Sequence, residues 1–100
     1  MIVVAEAGAA RVDDAENLKG FKLLARYAEG DLISVGAALA GAGRIADGHA
    51  WIDEAWLRIA AGERDTAWNG DFDKMVAFAK SKGWYDEPTR SIRAHIDWAE

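Results

Sequence analysis

The chain has 100 residues, of which 51% are apolar and 29% charged, with a net charge of −5 and no cysteine. That length predicts a single globular domain over residues 1–100, the apolar share excludes a disordered chain, and the acidic balance without a Lys/Arg cluster excludes a nucleic-acid surface. Without cysteine there are no disulfides, no thiolate chemistry and no cysteine-ligated zinc.

The chain opens on Ile2-Val3-Val4, a β-branched run that predicts a short N-terminal strand over residues 2–6. It lacks the basic start of a signal peptide. Asp13 to Glu29 then reads as a helix. Asp13 stands at the N-cap position, Glu16 completes a capping box, and Leu18, Phe21, Ala25 and Ala28 recur on one face. Gly30 is placed to end it.

Asp31 to Ala46 is double. Asp31 suits the cap of a second helix, but Gly36, Gly41 and Gly43 weaken it. A strand at Leu32–Val35 followed by a glycine-rich loop competes. The stretch from Leu32 to Ala42 is apolar but much shorter than the roughly 20 residues that cross a bilayer. No membrane partner is therefore expected, and the expected location is the cytoplasm.

Asp47 to Gly62 reads as a further helix, with Ile52, Trp56 and Ile59 on its apolar face. Glu63 to Gly70 is polar and turn-like around Trp68. Asp71 to Lys82 is again helical, ended by Gly83. After Asp86-Glu87-Pro88, the alternation of Ile92, Ala94, Ile96 and Trp98 suits a strand. The Ile92, His95, Ile96 and Ala99 spacing suits a helix. With the helical choice, the fold class is mainly α, a compact bundle of four to five short helices with a short N-terminal strand. The alternative is α+β, with a small sheet from residues 2–6, 32–38 and 90–98.

Five tryptophans is a heavy load for this length, and all of them fall in the second half, at 51, 56, 68, 84 and 98. A tryptophan combines a large apolar body with one N–H that wants a partner, which suits cores, interfaces and ligand clefts. His49 and Asp53 are spaced i, i+4, so a helix would let the carboxylate orient the imidazole. The candidate site residues are thus His49, Trp51, Asp53, Trp56, Trp84, Tyr85 and His95.

No nucleophile stands in a catalytic context and no phosphate-binding glycine motif is present. Asn69-Gly70-Asp71-Phe72-Asp73 touches the calcium-loop pattern but lacks its closing glutamate. No cofactor and no metal are expected. The pattern points to a non-enzymatic binding or interaction module that self-associates, as a homodimer, through tryptophan-bearing surfaces. The alternative is a small enzyme or small-molecule-binding protein, with an aromatic pocket and His49/Asp53 or His95 as its polar groups. A protein partner or a small ligand fits either reading.

Overall fold

The computed structural model describes residues 1–99. It is α+β, with strands β1 (Ile2–Glu6), β2 (Ala9–Asp13), β3 (Lys22–Ala25), β4 (Gly43–Ala46), β5 (His49–Asp53), β6 (Tyr85–Asp86), β7 (Ser91–Ala94) and β8 (Ile96–Trp98). Its helices are α1 (Leu32–Ala38), α2 (Glu54–Ala60) and α3 (Thr66–Lys82). One sheet has the order β2-β1-β3-β8 and the other β4-β5-β7-β6. In the first sheet β1 pairs with β2 antiparallel and with β3 parallel, and β3 pairs with β8 parallel. The second sheet is antiparallel throughout.

This overturns the mainly α expectation, and each difference has a local cause. Over residues 13–29 the chain stays extended to Asp13, turns at Asp14 with φ 52°, and re-enters a strand at Lys22. Leu23 and Ala25 are buried while Lys22 and Leu24 are less so, a period of two that pairing with β1 and β8 imposes over the helical spacing. Asp31 does cap α1, accepting from the Ser34 N–H at 3.1 Å. The helix ends after Ala38, and the chain turns at Gly41, with φ 83°, into β4. At Asp47-Gly48 both residues have positive φ, 54° and 75°. That is the two-residue hairpin turn that Asp-Gly favours, so β5 replaces the expected first half of a helix. The expected turn at 63–70 is largely helix, because Asp65 caps α3 by accepting from the Trp68 N–H at 2.9 Å. Residues 90–98 follow the alternating reading as β7 and β8.

The small-sheet alternative had the class but not the pairing. Residues 32–38 are α1. Residues 2–6 and 96–98 lie in one sheet, separated by β3, while residues 91–94 belong to the other.

The alternation sorts the side chains. Val3, Ala5, Leu23 and Ala25 of the first sheet, and Ala50, Ile52, Ile92 and Ala94 of the second, form one core with Val35, Leu39, Leu57 and Phe72 from the helices and their termini. Each fully buried Val, Leu, Ile or Phe side chain here stabilises the fold by about 1.5–3 kcal/mol. No helix among the described residues is long and apolar enough to cross a membrane.

The outer face of the first sheet is tiled with ion pairs. Arg11 reaches Glu6 and Asp13, Arg26 reaches Glu6 at 3.3 Å, and Lys22 reaches Asp97 at 2.9 Å. Such exposed pairs contribute about 0–1 kcal/mol each, so they satisfy charge more than they stabilise.

Candidate functional site

The second sheet presents a different outer face. Cross-strand partners in an antiparallel sheet point the same way. Arg44 on β4 is opposite Trp51 on β5, Trp51 is opposite Arg93 on β7, and the Arg93 N–H donates to the Trp84 carbonyl just before β6, at 2.8 Å. One row across the whole sheet therefore alternates arginine and tryptophan. The Arg44 guanidinium carbon lies 5.7 Å from the Trp51 ring centre, and that of Arg93 lies 5.6 Å from the Trp84 ring centre. Both distances are within cation–π range.

The two arginines differ in what else they hold. Arg44 donates to Thr89 Oγ1 at 3.1 Å and to Ser91 Oγ at 3.0 Å, and pairs with Asp86 at 3.3 Å. Arg93 has no side-chain hydrogen bond or ion pair among the described residues. A guanidinium carries five N–H donors. Those of Arg93 lie by the Trp84 ring and have no acceptor among the described residues.

Arg93 borders a cleft of about 350 Å³. The cleft forms where the chain changes sheets. β7 ends at Ala94, the Leu23 N–H donates to the His95 carbonyl at 2.9 Å, and β8 continues in the first sheet. His49 stands one residue beyond the Ala50–Ala94 pair, and so does His95, so the strand pairing brings the two histidines to one cleft. The far walls are Leu18, Lys19 and Phe21 from the β2–β3 loop and Met75, Phe78 and Ala79 from the C-terminal half of α3. Phe78 meets Trp84 edge to face, with ring centres 5.9 Å apart. The described lining contains Lys19, His49, Arg93 and His95 but no carboxylate, in a chain of net charge −5.

The loop wall is held from behind by Trp68. Its indole N–H donates to the Ala15 carbonyl at 2.8 Å, buried, while its ring stacks on Phe72 at 5.3 Å. Arg64 donates to Glu16 at 2.8 Å. That hydrogen bond from Arg64 holds the Glu16 carboxyl below its ordinary value. A neighbouring groove of about 560 Å³ shares Leu18, Lys19, Met75 and Phe78 and adds Glu16, Asp71 and Lys74, so the recess runs on into a region of mixed charge.

Of the residues expected from sequence, His49, Trp84 and His95 come together in the cleft. Trp51 and Asp53 share the outer face of the second sheet but do not line it. Asp53 is four residues from His49 along a strand, roughly 13 Å at about 3.3 Å per residue, so it does not orient the imidazole. His49 Nδ1 instead lies 3.1 Å from the Asp47 carbonyl oxygen. The Trp51 indole nitrogen is buried without a partner among the described residues. Trp56 is half-buried on α2, packed against the core. Tyr85 points to the core side, its hydroxyl donating to Glu54 at 2.7 Å. Burial, reinforced by Glu54, raises the pKa of that hydroxyl. Arg93, Lys19, Leu18, Phe21, Met75, Phe78 and Ala79 did not come from site reasoning. The alternation of Ile92, Ala94 and Ile96 carried the signal, since it sets Arg93 and His95 together on the polar face of one extended segment.

Among the described residues no three His, Cys, Asp or Glu side chains gather in a way that could hold a metal ion. No protein-family model matches the chain, and no curated protein and no solved structure is similar enough to count as a match.

Proposed function

We propose that the chain is a non-enzymatic binding module whose small ligand seats in the cleft between the second sheet, the β2–β3 loop and α3, among Trp84, Phe78, His49, His95 and Arg93. The observation that carries this reading is Arg93. It is a cation oriented on a tryptophan ring at the edge of an apolar recess, with no described acceptor for its donors. Small-molecule sites combine a mostly apolar concavity with a few convergent polar groups. A fragment screen by amide-detected NMR tests it. Binding fragments should shift the amides of His49, Phe78, Trp84, Arg93 and His95 as a cluster. Hits scattered over the surface, or gathered elsewhere, would remove the reading.

A second reading is self-association into a homodimer. Its support is Phe78, 54% exposed beside the partly buried Trp84 at the mouth of the same recess. Aromatic residues are enriched at the centres of such interfaces. Sedimentation at rising concentration should then show twice the chain mass, and Phe78→Glu should return it to the monomer. Location in the cytoplasm belongs to the same proposal and is supported by the cysteine-free composition.

A further inference from the structure

Resting on the reading of the cleft as a ligand site, we infer that its ligand is an aromatic carboxylate, with the carboxylate on Arg93 and the ring between Phe78 and Met75. Charge gives the polarity. The cleft gathers Lys19, His49, Arg93 and His95 with no described carboxylate, whereas the adjoining groove sets Glu16 and Asp71 beside Lys19 and Lys74. An anionic group is therefore favoured at the Arg93 end over the mixed-charge groove. Glu16 does not neutralise the cleft, because its own partner is Arg64.

The shape of the donors selects the kind of anion. A guanidinium is a planar fork that matches the two oxygens of a carboxylate. Here the fork is preoriented over Trp84, which lowers the entropy lost on binding. A doubly charged phosphate is less well served. The helix in the wall turns its C-terminal half to the cleft, the negative end of its dipole, and the described lining holds a single guanidinium, that of Arg93. The rest of the wall asks for a flat apolar body. Phe78 and Trp84 meet at an interplanar angle of 68°, with Met75 beside them, and aromatic rings pack well against such edges and faces. A volume of about 350 Å³ lies at the small end of the usual range of about 300–1,000 Å³, room for one ring system.

Calorimetric titration of the full chain with four probes tests this: 3-phenylpropionate, its neutral amide 3-phenylpropanamide, phenyl phosphate and inorganic phosphate. The inference expects 3-phenylpropionate to bind at least tenfold tighter than each of the other three, and Arg93→Gln to remove that margin over the amide. Equal affinity for the acid and the amide, with amide shifts still at His49, Trp84 and His95, would overturn the charged-ligand inference and leave the binding cleft standing. A margin in favour of phenyl phosphate would overturn the carboxylate assignment. Inorganic phosphate binding as tightly as 3-phenylpropionate would remove the role of the aromatic wall. If neither the acid nor the amide shifts a cleft residue, and the fragment screen finds nothing there, the cleft reading falls with the inference. The acid–amide comparison uses the unaltered protein, so it stands even if Arg93→Gln folds poorly.

Discussion

The Arg93 guanidinium sits over the Trp84 ring, 5.6 Å from its centre, with no described carboxylate beside it, while Arg44, two strands away in the same row, is tied to Asp86, Thr89 and Ser91. Two arginines on one sheet face thus play different parts. Arg44 closes a polar network over the β6–β7 turn, and Arg93 leaves its donors to the cleft. Substituting them separates the parts. Arg44→Met should lower stability by about 1–3 kcal/mol, since it removes the charged donor to Ser91, Thr89 and Asp86 and leaves the buried Ser91 hydroxyl with Thr89 alone. It should leave cleft binding unchanged. Arg93→Met should do the opposite, with the urea midpoint moving little. Equal destabilisation by the two would mean that Arg93 is held by contacts like those of Arg44.

Trp68→Phe keeps an aromatic ring stacked near Phe72 but removes the donor to the Ala15 carbonyl. A buried acceptor left unpaired costs about 1–3 kcal/mol. Because Ala15 anchors the loop that carries Leu18, Lys19 and Phe21, the variant should also show faster amide exchange over residues 15–21. Unchanged exchange there would show that the loop is held by other contacts.

A Cβ at Gly43 would stand 2.1 Å from the Trp51 carbonyl oxygen, a backbone atom that cannot move aside without breaking the β4–β5 pairing. Gly43→Ala should therefore cost about 1–3 kcal/mol or more, as overpacking does. Gly70→Ala, in the middle of α3 and with open space around it, should be neutral or stabilising by about 1 kcal/mol through helix propensity. Thermal melts of the two variants moving in the same direction would contradict the geometry.

The core is centred on Phe72, which is fully buried between Trp68 and the Arg58 guanidinium, 4.3 Å above its ring. Phe72→Ala should cost about 3–5 kcal/mol. Sequence spacing pointed instead to Trp56, between Ile52 and Ile59 on one helix. In the structure Ile52 is on a strand and Ile59 is 79% exposed, so Trp56→Ala should cost less than Phe72→Ala. A larger loss for Trp56→Ala in urea titrations would reverse this order.

Stability should fall in acid. Hydrogen bonds from Ser34 to Asp31, from Arg64 to Glu16 and from Lys22 to Asp97 hold these three carboxyls below their ordinary values of 3.8 for Asp and 4.5 for Glu. A carboxyl whose pKa is lowered on folding stabilises the native state above its unfolded value. That contribution is lost as pH falls through the folded value. The urea midpoint should therefore be level above about pH 5 and decline below about pH 4, where these groups take up protons. Lys22→Met and Arg64→Met should each make the decline shallower. Acid limbs identical to that of the parent chain would show that these pairs do not set the pH response.

The parts of the fold legible in sequence were those governed by local chemistry. Asp31 caps α1, Gly83 ends α3 in the left-handed region, and the β-branched start is β1. The Asp47-Gly48 hairpin is equally local, but aspartate serves both helix caps and hairpin turns, so the dipeptide alone does not choose between them. What could not be read was pairing at a distance. Leu23 and Ala25 become strand because β1 and β8 flank them, and those partners are about 20 and 70 positions away. The site follows the same division. His49, His95 and Trp84 were visible as residue types, but their meeting depends on the β5–β7 register and on the sheet change at His95. Arg93 carries no local signal, because what sets it apart is the Trp84 ring brought beside it by the β6–β7 pairing.

The most direct test of the account is a crystal structure of the chain grown with 3-phenylpropionate. The ligand should lie between Phe78 and Met75, with both carboxylate oxygens within hydrogen-bond distance of the Arg93 guanidinium and the Trp84 contact retained. A ligand bound elsewhere, or in the cleft with its carboxylate turned toward Glu16 and Asp71, would contradict it.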